Sequence, residues 1–84
     1  MFNEMKYNNA LEQLNKLFKY EECKYFNMCI ASGIAQGRKV GEDEIRNMLL
    51  GQFELGFITY DQEVALNNLY NDNIAAIEAL QEVK

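Results

Sequence analysis

The stretch Leu49–Glu63, with the sequence LLGQFELGFITYDQE, predicts the end of one helix and the start of the next. Gly56 follows a segment with apolar residues at helical spacing, a position where helices commonly end on a left-handed residue. Thr59 is a good N-cap, and Gln62 stands three residues later, so the two residues can form a capping box. The phenylalanine and isoleucine between Gly56 and Thr59 are expected to enter the core. The pattern therefore predicts a helical hairpin that turns at Gly56–Thr59.

Upstream of this hairpin, the first third of the chain has the pattern of a long helix. Apolar residues recur at helical spacing from Tyr7 to Phe18, and residues 20–34 are apolar nearly all round, as in a buried helix. No Gly or Pro marks a break, so we expect a continuous or mildly kinked helix over residues 3–36. The alternative is a break near residues 19–22, after which the second half turns to a new face.

The remaining boundaries follow from glycines, acidic residues and apolar spacing. The first helical segment is expected to end near Gly37, and the next helix to begin at Glu42, where acidic residues favour a helix N-terminus. The last helix is expected to run from about Tyr60 to about Glu82, with Asn73 at the edge of its apolar stripe. The sequence therefore predicts a single all-α domain over the whole chain. We expect a small three-helix antiparallel bundle, or a four-helix one if the first helix breaks.

Charge is distributed unevenly along the chain, which carries a net charge of −5. Residues 1–40 contain six basic and four acidic side chains, whereas residues 41–84 contain two basic and nine acidic ones. Such asymmetry is a possible interaction signal, and its alternative explanation is a solvated surface that maintains solubility. We expect the acidic half to meet a basic surface on a partner protein. The candidate partner-binding residues are Glu42, Asp43, Glu44, Glu54, Asp61 and Glu63.

The residue types present argue against catalysis and against nucleic-acid binding. The chain has no His, which excludes common zinc sites and His-based acid–base catalysis. Cys23 and Cys29 cannot pair within one straight helix, and reduced thiols are expected. The segment Gly33–Gly41 lacks the spacing of a phosphate-binding P-loop. The helix predicted from Tyr60 has no Lys or Arg before Lys84, so it lacks the cations of a DNA-reading helix. We expect no enzymatic activity, no cofactor, no metal and no direct nucleic-acid binding.

No segment marks the chain for export or for a membrane. The N-terminal residues lack a basic region followed by an apolar core, which a signal peptide would have. The longest mostly apolar run, Tyr25–Ile34, is shorter than the roughly 20 residues that span a bilayer. The content of 10 Asn, 5 Tyr and 5 Phe is typical of AT-rich genomes, including many bacteria and phages. The expected location is therefore the cytoplasm of a bacterium or of a phage-infected cell.

These observations favour a small, acidic, non-catalytic protein-interaction module. In its specific form, the hypothesis is a phage or mobile-element accessory protein that binds and inhibits or modulates a host protein, such as a component of a defence system. One alternative is a homodimeric structural or assembly protein, whose predicted self-association residues are Phe26, Ile30 and Ile34. The other alternative is a nucleic-acid mimic, whose carboxylates would stand in for phosphates and block a basic groove.

Overall fold

Residues 2–82 fold into five helices and contain no strand. The computed structural model describes these residues. The helices are α1 (Glu4–Leu17), α2 (Cys23–Ala35), α3 (Glu42–Glu54), α4 (Tyr60–Asp72) and α5 (Ile74–Gln81). The predicted all-α class is confirmed. The structure has more helices than the three or four expected, because both of the long predicted helices are interrupted.

The first predicted helix is divided between α1 and α2, so the prediction of a continuous helix is wrong. α1 ends at Leu17 and α2 begins at Cys23. The backbone N–H of Asn3 donates to the carbonyl of Ala35 at 3.0 Å, so the start of α1 lies beside the end of α2 and the two helices are antiparallel. An unbroken helix would be about 50 Å long, whereas the longest dimension of the molecule is 36 Å. Folding back lets the two apolar faces bury each other.

A buried asparagine stabilises the corner between α1 and α2. Asn27 is completely buried, and its Nδ2 donates to the carbonyl of Phe18 and to Oδ1 of Asn15, both at 3.1 Å. The last carbonyls of a helix lack partners within the helix, and a side-chain donor can satisfy one of them. The Tyr70 hydroxyl of α4 donates to Oδ1 of Asn27 at 2.9 Å. One hydrogen-bond network therefore joins α1, α2 and α4.

A close approach fixes the path of the chain from α2 to α3. Gly37 has a positive φ of 80°, and the N–H of Arg38 donates to the carbonyl of Gly33 at 3.0 Å, which confirms the predicted helix end near Gly37. A Cβ at Gly33 would lie 2.7 Å from Cγ2 of the buried Val40. The side-chain amide of Gln81 in α5 donates to the carbonyl of Val40, which anchors α5 to this loop.

The α3–α4 turn has the predicted local structure. Gly56 has a φ of 82°, and the N–H of Phe57 donates to the carbonyl of Gln52 at 3.0 Å, as in a Schellman motif. Thr59 and Gln62 form the reciprocal capping box, with bonds of 2.9 Å and 3.1 Å. α3 and α4 pack against each other as a hairpin.

The last predicted helix is divided at Asn73. This residue ends α4 and precedes α5, with φ −117° and ψ 19°, outside helical geometry. Its side chain is half-buried, and Asn73 Nδ2 donates to the carbonyl of Leu69 at 2.9 Å. The side chain thus satisfies a backbone acceptor in the last turn of α4.

All five helices contribute to one hydrophobic core, which includes Tyr70 and Ile77. The three residues predicted for self-association also lie in this core. They are Phe26, Ile30 and Ile34. Their burial in the chain's own core accounts for their apolar character without a second copy, and self-association stays a prediction.

Candidate functional site

Large apolar side chains are exposed around the α3–α4 turn. Leu55 is 70% exposed, Phe57 72% and Tyr60 63%. The prediction that Phe57 enters the core is wrong, because the turn packs Ile58 against the core instead. Exposed apolar residues that lie together are a common mark of an interaction surface.

Leu55 and Phe57 line an open groove, which we name the turn groove. Its volume is about 610 Å³, and it lies between the start of α2 and the α3–α4 turn. The residues that line it are Glu21, Glu22, Tyr25, Phe26, Gln52, Leu55, Phe57, Ile58 and Gln62. A mostly apolar lining with a few polar groups is typical of binding sites. Sequence analysis missed this groove, because its residues come from two segments about thirty positions apart.

The polar groups of the turn groove are carboxylates and side-chain amides. Glu21 and Glu22 come from the link between α1 and α2, whereas Gln52 and Gln62 come from α3 and α4. Glu21 Oε2 lies 2.9 Å from Nζ of Lys24, an exposed pair that contributes little to stability. Glu22 has no ion-pair partner within residues 2–82. The lining therefore carries uncompensated negative charge, which suits a partner with apolar and basic groups.

The six carboxylates predicted to bind a partner fall into two groups along α3 and α4. Three of them begin α3, and the other three lie at the end of α3 and in the first turn of α4. The first group is Glu42, Asp43 and Glu44, and the second is Glu54, Asp61 and Glu63. A helix rises about 1.5 Å per residue, so Glu42 and Glu54, twelve positions apart, are separated by about 18 Å along α3. None of the six lines the turn groove, but the second group is adjacent in sequence to the lining residues Leu55 and Gln62.

Arginines neutralise part of the first carboxylate group. Arg46 lies 3.2 Å from Glu42 and 4.0 Å from Asp43, and Arg38 lies 2.7 Å from Glu44. Among the described residues, the second group has no ion pair. A basic partner would therefore meet more uncompensated charge near the turn groove than at the start of α3.

The thiols and tyrosines of α2 and α4 have no features of an activated nucleophile. Cys23 is free and buried, and burial raises the pKa of its thiol. Burial also raises the pKa of the Tyr70 hydroxyl, and the neighbouring Cys29 thiol raises the pKa of Tyr25. A raised pKa keeps a thiol protonated near neutral pH, and the thiolate is the reactive form. Cys23 is therefore an inert core residue.

Residues 2–82 contain neither a metal-binding cluster nor a membrane-spanning helix. No three His, Cys, Asp or Glu side chains lie together as a metal site would require. No helix in this part of the chain has the length and apolar character needed to cross a bilayer.

No family model matches the chain, and neither a curated protein nor a solved structure is significantly similar to it. The turn groove and its charges are the features from which a function can be inferred.

Proposed function

We propose that the protein is a non-catalytic interaction module that binds a partner protein through the turn groove. The observation that carries this proposal is the exposure of Leu55 and Phe57 at the rim of a groove of about 610 Å³. Aromatic residues are enriched in the centres of protein interfaces, where their burial contributes most of the binding energy. Tyr25, 55% exposed, adds a third anchor from the facing wall.

Charge would determine which partners approach the turn groove. Glu22 lines it, and Glu54 and Asp61 adjoin its lining residues Leu55 and Gln62 in the sequence. Complementary charge accelerates encounter and disfavours acidic partners, and its effect weakens as salt rises. The partner surface would therefore present apolar side chains with Lys or Arg around them.

Binding of this kind acts by occlusion. A module without catalytic groups changes its partner by covering a surface, and an accessory protein of a phage or mobile element that inhibits a host protein is the specific form we favour. A nucleic-acid mimic needs carboxylates along one face, and the separation of the two carboxylate groups along α3 does not support it. The burial of Phe26, Ile30 and Ile34 gives no support to the homodimer.

We expect Phe57→Ser to abolish capture of the partner. Tagged wild-type protein and variant are immobilised, exposed to bacterial lysate and washed at low and then at high salt. Bound proteins are identified by mass spectrometry. Because the Phe57 ring is exposed, its loss should remove an anchor without weakening the core, so the melting temperature should stay within a few degrees.

Met5→Ser is the matched control for this experiment. Met5 is 83% exposed and lies near the start of α1, which is beside the end of α2 and far from the turn groove. This variant should capture the same protein as the wild type. If Phe57→Ser also captures that protein in equal amount, the turn groove does not bind it and the proposal is wrong.

A further inference from the structure

A second groove continues the turn groove along α4. Its volume is about 330 Å³, and we name it the α4 groove. The residues that line it are Tyr20, Glu22, Gln62, Ala65, Leu66 and Leu69. Glu22 and Gln62 line both grooves, so the two adjoin at these side chains, and we name them together the trough.

The trough follows one stripe of α4. Ile58 precedes the helix and lies in the turn groove, Gln62 lies at the junction, and Ala65 and Leu69 lie in the α4 groove. Positions three and four residues apart lie on one face of a helix. The interval from Gln62 to Leu69 measures about 10 Å, or two turns. With the turn groove added, the trough has room for a partner segment of several helical turns.

The lining favours a helical partner over an extended one. An extended segment needs external partners for its backbone N–H and C=O groups, and buried groups left without them are costly. The polar groups in the trough are a few side chains: Glu21, Glu22, Gln52, Gln62 and the Tyr20 and Tyr25 hydroxyls. A helix satisfies its own backbone and presents apolar side chains every three or four residues, which suits a narrow apolar trough.

Charge specifies the partner further. Glu22 is shared by both grooves and has no ion-pair partner among the described residues, and neither lining contains Lys or Arg. We propose that the trough binds one amphipathic helix of the partner, with apolar anchors in the turn groove and in the α4 groove and a Lys or Arg between them at Glu22. This inference rests on the proposed function and adds the chemistry of the bound segment.

The probe is a displayed library of random peptides of about 16 residues, long enough for four helical turns. It is selected on the wild-type protein and counter-selected on Phe57→Ser. We expect the enriched peptides to carry apolar residues at helical spacing with a Lys or Arg between them. Circular dichroism should show helix formation on binding.

Two variants test the α4 groove and the charge separately. Ala65→Gln fills the α4 groove without removing a core residue, and it should weaken binding of an enriched peptide by about tenfold. Its matched control is Ala75→Gln on α5, also exposed and outside both linings.

Glu22→Gln should weaken binding by about twofold to fivefold and reduce its salt dependence. Glu78→Gln, on α5, is the control for the lost charge.

The outcomes separate this inference from the proposed function. If binding depends on Phe57 but not on Ala65→Gln or Glu22→Gln, the inference is wrong and the turn groove remains a protein-binding site. Enriched peptides without helical spacing or without a cation would also overturn it. If light scattering shows a dimer of the wild type that Phe57→Ser dissociates, a second copy occupies the trough. If neither the library nor the lysate yields a Phe57-dependent ligand, the proposed function itself fails.

Discussion

Asn27 and Tyr70 form the polar contact that joins the first two helices to the fourth. Asn27 uses its amide nitrogen for acceptors at the end of α1 and its amide oxygen for the Tyr70 hydroxyl. The Tyr70 ring packs against Phe18, with 4.5 Å between the ring centroids. Since buried polar groups are costly when unpaired, this network is stabilising only while every member has its partner.

We expect Asn27→Ala to lower the free energy of unfolding by about 2 kcal/mol or more, because it leaves the Phe18 carbonyl without its side-chain donor and leaves the Tyr70 hydroxyl only the longer bond, 3.4 Å, to the Cys23 carbonyl. Tyr70→Phe should cost about 1–2 kcal/mol, since it leaves Oδ1 of Asn27 unpaired. The double variant should lose less than the sum of the two changes, because both remove the same hydrogen bond. Urea denaturation followed by circular dichroism measures all three.

Alkaline pH gives this prediction an independent check. Burial raises the pKa of Tyr70, so the unfolded chain loses the phenolic proton first. Stability is therefore full below the ordinary tyrosine pKa of about 10 and falls as the pH rises above it. Tyr70→Phe should show a weaker decline over this range. Additive losses in the double variant, or an unchanged alkaline decline in Tyr70→Phe, would contradict the role assigned to this hydrogen bond.

At the level of the helices, Gly33 and Gly51 lie in similar positions but in different surroundings. Both are inside a helix, where Ala is favoured over Gly by about 1 kcal/mol. A Cβ at Gly51 would have no atom within 4 Å, apart from its chain neighbours and the backbone of its own helix. A Cβ at Gly33 would lie 2.7 Å from Cγ2 of Val40. The same substitution should therefore have opposite effects at the two positions.

We expect Gly51→Ala to raise the free energy of unfolding by about 0.5–1 kcal/mol. Gly33→Ala should lower it by about 1–3 kcal/mol, because the methyl group meets the buried Val40 side chain. In a Val40→Ala background, Gly33→Ala should cost much less. Thermal unfolding of the four proteins measures these differences, and equal stabilisation by both single substitutions would show that the loop after α2 moves freely away from Gly33.

The helix boundaries that could be predicted from sequence are those fixed by local chemistry. The Gly56 turn and the Thr59 capping box depend on residues within about six positions, so the local sequence determines them. The break between α1 and α2 was one of two alternatives that local chemistry left open, and residues 18–22 now separate the two helices. It is stabilised by Asn27, and that role depends on the folded position of Tyr70, forty-three residues later.

The candidate site was less predictable than the helices, because tertiary packing creates it. The trough combines the α1–α2 corner with the α3–α4 turn and with α4, and their proximity follows only from the fold. Phe57 illustrates the difficulty: an apolar residue in a turn is usually predicted to be buried, yet here it is exposed beside a groove. The acidic residues were identified by composition, but not their division into two groups.

For the whole molecule, the pairing of neighbours in the sequence has a kinetic consequence. The helices that pack most extensively are α1 with α2 and α3 with α4, so little chain entropy is lost in bringing them together. Helical proteins with such local topology fold in roughly microseconds to milliseconds.

The Asn27–Tyr70 contact, which spans forty-three residues, should form after the transition state. In rapid-mixing or temperature-jump experiments, Tyr70→Phe should then accelerate unfolding and leave the folding rate nearly unchanged; a matching loss in the folding rate would place this contact in the nucleus. The two hairpins would therefore form early, and the tyrosine would set how long the native state persists before it opens.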